Sequence, residues 1–281
     1  MSGIWSDTAR RLKSSPLALA AAGFIVAVAL VSIVGPLVDS NRFDTLDWSN
    51  IAVAPGAQHG HWLGTDRLGR DLFVRTLDGT RISLLIGLIA TSVSLVVGVA
   101  YGAVAGFAGG NIDRWMMRVV EILSGLPLVF FVILLTVMFG RGVLLLLISI
   151  GSIGWLTMAR IVRGQTLSIR RREFIEAAIA GGASSGRIIF KHVIPNVIGP
   201  VIVYATLTVP QMILFESFLS FLGLGIQEPH ASLGTLIADG AAEMEAAPWI
   251  LLTPGVLLAV LLLSFNIFGD CLRDALDTEE R

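Results

Sequence analysis

Among the 281 residues, the pattern that most constrains chemistry lies in 173–196, EFIEAAIAGGASSGRIIFKHVIPN. Glu176-Ala177-Ala178 is followed by Gly182 and then by His192-Val193-Ile194-Pro195. These types suit contact rather than bond making: Glu176 offers a carboxylate to a partner's Arg or Lys, and Ala177 and Ala178 let another chain approach closely. Nucleotide hydrolysis needs a G-x-x-x-x-G-K-[ST] loop to cradle phosphate. The two lysines, Lys13 and Lys191, follow Leu12 and Phe190, so this chain carries no such loop. His59 and His61, with Asp66 nearby, are ligand types for nickel or zinc, but two loop histidines without a firm third ligand are expected to hydrogen-bond instead. Cys271 stands alone, which excludes an intrachain disulfide and gives no metal pattern. The chain is therefore expected to have no catalytic, cofactor-binding or metal-ligating residues of its own.

The elements that position segment 173–196 follow from hydropathy. Hydrophobic residues make up 54% of the chain and charged residues 15%, and the mean hydropathy is +0.80. That balance belongs to an integral membrane protein. A spanning helix needs about 20 apolar residues. Six uncharged runs qualify: 17–38, 82–110, 122–140, 142–159, 193–215 and 249–269, with Arg160, Glu216 and Asp270 marking boundaries. The fold class expected is all-α, a polytopic helical membrane protein with six transmembrane helices. The first run is too long for the apolar region of a signal peptide and reads as a retained span.

Orientation follows from Lys and Arg in the connections. With the N-terminus in the cytoplasm, fourteen lie inside, including seven in 160–191, and six lie outside: Arg42, Arg67, Arg70, Arg75, Arg81 and Arg141. Both termini and segment 173–196 are thus expected in the cytoplasm. Within that segment a helix over 160–180 should stop at Gly181-Gly182, where positive φ costs least. Ser184 or Ser185 then caps a second short helix, Ile188 and Ile189 supply part of its apolar face, and Pro195 starts the next segment because it does not suit a helix interior. The division expected is 1–81 (tail, first span and external segment), 82–277 (a core of five spans with cytoplasmic loop 160–195 and external segment 217–248) and the tail 278–281.

The Glu-Ala-Ala, Gly and Pro spacing resembles the EAA loop of permease subunits of ATP-binding-cassette importers, with His192 and Ile194 where the family ends Ile-x-Leu-Pro. Two further motifs, Leu63-Gly64-Thr65-Asp66-x-x-Gly69-Arg70-Asp71 and Leu219-Ser220-Phe221-Leu222-Gly223-Leu224-Gly225, occur in family order. Together they resemble the dipeptide, oligopeptide and nickel subgroup over residues 10–277, in particular the permease with the shorter N-terminal region. Leu233 stands where the family often has Trp, and Glu216 with Gln227-Glu228-Pro229 looks more like the oligopeptide branch than the nickel branch.

The resemblance implies one half of an importer in a bacterial inner membrane, paired with a second homologous permease, two cytoplasmic ATPases that use ATP and Mg, and an extracytoplasmic peptide-binding protein. It assigns coupling to Glu176, Ala177, Ala178, Gly182, His192 and Pro195. It places an external gate or docking surface at Phe218, Phe221, Gly223, Gly225 and Glu228, in a segment too short to span and suited to a re-entrant or surface-lying piece. Asp66, Arg67, Arg70 and Asp71 are expected to form a salt-bridged surface element. Nickel import is an alternative within the family. A self-sufficient channel or carrier is the alternative outside it, weakened by the lack of ionisable residues in mid-span and of an internal repeat.

Overall fold

The computed structural model describes residues 2–38, 43–56, 60–140 and 142–276. Arg42, His59, Arg141 and the tail 278–281 lie outside them. The described residues are helical, apart from the connections and two isolated bridges, Gly56 with His61 and Thr65 with Asp71. Helix α1 (Ser2–Ser14) runs through the segment expected to be a tail, and α2 (Pro16–Val38) is the first apolar span.

The second span is longer than hydropathy indicates. Helix α3 (Leu72–Ala108) has 37 residues, about 55 Å at 1.5 Å per residue, so one end stands clear of a hydrocarbon core of about 30 Å. It starts ten residues before Ile82 because Asp71 caps it, accepting from Val74 N at 3.0 Å. The charges that end the apolar run are neutralised locally: Arg75 by Asp66, and Arg81 by Asp78. Gly109 and Gly110, both at positive φ, end α3 and lead into α4 (Gly110–Ser124).

The third expected span is a bent pair. Helix α5 (Leu128–Phe139) has 12 residues, too few to cross alone. It meets α4 at an angle of 81° across Gly125-Leu126-Pro127, so among the described residues five helices qualify as spans, or six where the bent pair is counted as one. Helix α6 (Val143–Arg170) continues past Arg160 and Arg163, since Arg is a good helix former even where it ends the apolar stretch.

After α6 come α7 (Glu173–Ala180), α8 (Ser185–Ile188), a π turn (Ile189–Val193) and α9 (Ile194–Phe221); α10 (Leu233–Ala242) and α11 (Pro248–Leu276) complete the chain. Pro195 does not start a new segment as expected: it follows the π turn inside one continuous helix over 185–221, in which α8, the π turn and α9 run on without a break. Pro200 and Pro210 also lie inside α9 and Pro254 inside α11, as membrane helices tolerate when neighbours re-satisfy the backbone.

The scaffold is α3 packed along α6. Gly98, Gly102 and Gly106 recur every fourth residue on α3, and a β-carbon there would run into Met158, Ala159 O and Arg163 O of α6 respectively. Such small-residue stripes let membrane helices meet backbone to backbone. Arg163 locks α4 to the same pair, Nε to Asp113 Oδ1 at 2.5 Å and Nη2 to Oδ2 at 2.6 Å. Three apolar clusters form the core: one around Phe107, Val162 and Ile188, one around Ile86, Ile150 and Leu219, and one around Ile213, Leu233 and Leu261.

Candidate functional site

Two groups of candidate residues lie toward opposite ends of α3. At its C-terminal end, α7 and α8 form an elbow. The helix expected over 160–180 breaks at Arg171-Arg172, and this turn brings Ile175 inward until it is fully buried beside Phe107 and Ile169. Helix α7 ends in a Schellman motif: Gly182 N donates to Ile179 O at 2.9 Å and Ala183 N to Ala178 O at 3.1 Å, with Gly182 at φ +75°. Ala178 and Ala183, the two residues this motif brings together, pack against the core cluster around Ile188. Ser184 occupies the N-cap position of α8, but its side chain makes no capping bond.

Anchoring and display are divided between alternate faces. Ile175, Ile188 and Val193 are buried, whereas Glu176, Ala177 and Gly182 are exposed, and Ala178, His192 and Pro195 are half-buried. Phe190, 75% exposed, and Ile179, 51% exposed, stand in the same elbow. Phe174, also exposed, lies 6.4 Å from the His192 ring. The elbow thus displays the Glu176 carboxylate among exposed apolar side chains on a buried anchor.

At the N-terminal end of α3, the element expected on the surface is buried. Asp66, Arg70 and Asp71 are each at most 5% exposed, and only Arg67 faces out. Asp66 Oδ1 accepts from the backbone of Leu68 and Arg70, and Oδ2 accepts from Arg70 Nε at 2.7 Å. Gly69, at φ +73°, makes this burial possible, since a β-carbon there would collide with Asp47 O. Thr65 Oγ1 donates to Asn50 O and accepts from Val53 N, and Trp249 Nε1 donates to Thr65 O. His61 Nδ1 is 2.7 Å from Asp71 Oδ2, so His61 and Asp66 are both engaged. Among the described residues no three His, Cys, Asp or Glu side chains converge as metal ligands would.

Segment 217–248 is divided between exposed residues, 221–223 and 227–230, and a buried stretch around 231–236. Residues 217–221 complete α9, Gly223 at φ +77° turns the chain, and α10 wedges between α9 and α11 with Leu233 and Leu236 buried. Arg70 Nη1 reaches Glu228 Oε1 at 2.9 Å, tying the two connecting segments together. A cavity of about 250 Å³ opens here. It brings together Phe221, Gly223, Gly225 and Glu228 of the expected set but not Phe218, and adds Arg67, Arg75, His230 and Asp239.

Glu216, expected to mark a boundary, lies inside α9 and is fully buried. Its carboxylate accepts from Ser83 Oγ at 2.8 Å and Ser220 Oγ at 2.6 Å. Ser83 Oγ in turn accepts from Leu233 N, the first residue of α10. Ser220, one helical turn after Glu216, was the available signal that this carboxylate is satisfied internally.

The model of the family described as "Binding-protein-dependent transport system inner membrane component" matches residues 98–281, and that described as "N-terminal TM domain of oligopeptide transport permease C" matches residues 3–55. This chain belongs to that family of transport permeases. The oligopeptide transport system permease protein OppC of Escherichia coli K12 is 51% identical over 99% of this chain and 92% of its own length. OppC of Bacillus subtilis 168 is 41% identical over 99% and 90%, and the dipeptide permease DppC of that strain is 43% identical over 98% and 86%. Among solved structures, a chain of the inward-facing MetNI methionine ABC transporter matches with a TM-score of 0.57 at 21% identity, covering 73% of the permease and 96% of the MetNI chain. At that identity the likeness concerns the fold.

Proposed function

We propose that this permease forms half of the translocation pathway of an ATP-driven importer for oligopeptides in a bacterial inner membrane, with both termini in the cytoplasm. The carrying observation is the full-length similarity, 51% identity, to an oligopeptide transport permease, joined to an exposed elbow whose motif residues sit on a buried anchor. The elbow docks a cytoplasmic ATPase, which contributes ATP and Mg, and a second homologous permease completes the passage. ATPase closure pushes on Glu176, Ala177 and Gly182. Because Ile175, Ile188 and Val193 root the elbow among residues of α3 and α6, the push moves those helices and opens the passage outward. A binding protein delivers peptide at the α3 N-terminal end, and hydrolysis resets the passage inward.

The test is uptake of a labelled oligopeptide by proteoliposomes holding the complete complex. ATP-dependent uptake competed by unlabelled peptide supports the reading. Competition by nickel but not by peptide, or uptake driven by an ion gradient without ATP, overturns it.

A further inference from the structure

The cavity at the α3 N-terminal end is lined by charged groups whose hydrogen bonding is incomplete among the described residues. Arg75 is only 2% exposed, although a guanidinium out of water needs both countercharge and hydrogen bonds. Its nearest carboxylate oxygen, Asp66 Oδ2 at 3.4 Å, is already bonded to Arg70 Nε at 2.7 Å, so one carboxylate serves two guanidiniums. Among the described residues Arg75 makes one long hydrogen bond, Nη1 to Phe43 O at 3.5 Å, and its Nε has no hydrogen-bond partner.

Across the same cavity stand Asp239 and Arg67, neither of which forms an ion pair among the described residues. Burial pushes the Asp239 carboxyl above its usual range, and Arg67, Arg75 and Arg70 do not offset it. Glu228, also in the wall, is held by Arg70, and His230 faces Asp78. Two guanidiniums and one half-buried carboxylate thus surround about 250 Å³ without touching one another. That is far more than the roughly 30 Å³ one water occupies.

The ligand that matches is an anionic oxygen pair with an N–H donor close beside it. The last residue of a peptide has that arrangement: its carboxylate forks onto a guanidinium, and its own amide N–H lies within reach of an acceptor. Resting on the importer reading above, we propose that this cavity receives the free C-terminal end of the transported peptide, with the carboxylate on Arg75 and Arg67 and the terminal amide N–H on Asp239.

The test uses the complete reconstituted transporter, saturated with loaded binding protein, and compares ATP-driven uptake of one peptide as its free acid and as its C-terminal amide. The wild-type complex takes up the free acid faster. In Arg67→Gln, an exposed position that does not threaten folding, the ratio of free-acid to amide uptake falls about tenfold. Arg75→Lys, which keeps the charge but loses the fork, lowers the ratio in the same direction. Equal losses for both peptides overturn the inference, because the cavity then receives an acidic side chain of the binding protein instead. An unchanged ratio overturns it too. Absence of ATP-driven uptake of either peptide by the wild type would overturn the importer reading itself, so the two failures are distinguishable.

Discussion

Glu216 and Ser83 lie 133 positions apart in the chain and share a 2.8 Å hydrogen bond with no exposure to solvent, and Ser83 passes it on to the first backbone N–H of α10. This places a carboxylate where α3, α9 and α10 meet. Glu216→Ala leaves the Ser83 and Ser220 hydroxyls without their acceptor and opens a void, at a cost of about 1–3 kcal/mol for the lost satisfaction alone. Glu216→Gln keeps the volume and one carbonyl acceptor and costs less. Thermal unfolding of the detergent-solubilised protein should show a clearly larger fall in Tm for Ala than for Gln, and equal falls would mean that the hydrogen bonds contribute nothing.

The α3–α6 contact predicts a contrast between glycines. Gly102 abuts Ala159 O, whereas a β-carbon at Gly164 meets nothing within 4 Å. Gly102→Val forces the two helices apart, with an overpacking cost of about 1–3 kcal/mol, and Gly164→Val is tolerated. The yield of monodisperse protein extracted from membranes separates them, and equal yields would contradict the packing described.

At the elbow, Gly182 has space around it but a φ of +75°. Gly182→Ala therefore suffers only backbone strain, about 1–2 kcal/mol, and retains partial uptake. Gly182→Pro, with φ fixed near −65°, abolishes uptake while the protein still reaches the membrane. Glu176→Lys does the same by reversing the exposed charge. Immunoblotting of membranes alongside peptide uptake checks this, and normal uptake by a well-expressed Gly182→Pro variant would refute the docking role.

The ion pair between Asp113 and Arg163 is partly open to solvent, 11% and 34% exposed, and is worth about 1 kcal/mol after screening. Asp113→Ala should lower Tm slightly. The charge swap Asp113→Arg with Arg163→Asp should rescue only in part, because a cation in the first turn of α4 opposes the helix dipole. Full rescue would remove the dipole from the explanation.

Hydropathy placed the spans well where charge and helix end together, as at the start of α2. It failed where a charge is paired: Arg75 and Asp78 interrupt the apolar run, yet Asp66, Arg81 and His230 neutralise them and the helix runs on. Glu216 was hidden for the same reason, since its satisfaction comes from Ser83, far away in sequence. The elbow was legible because a Schellman motif is local, so Gly182 declares itself within six residues. The stripe Gly98, Gly102, Gly106 was not read from the sequence, because its partner surface on α6 is set by tertiary packing. The cavity was not, because Arg75 and Asp239 come to line one space only through tertiary packing.

Docking of an ATPase on the elbow is open to a direct test. With Cys271→Ser removing the one native thiol, an Ala177→Cys variant is treated in native membranes with a short bifunctional cross-linker, and the adduct is purified and identified by mass spectrometry. A single adduct with a chain carrying a P-loop is expected, lost when Glu176→Lys is added. A chain that comes out uncross-linked and alone, while still supporting peptide uptake, would contradict it.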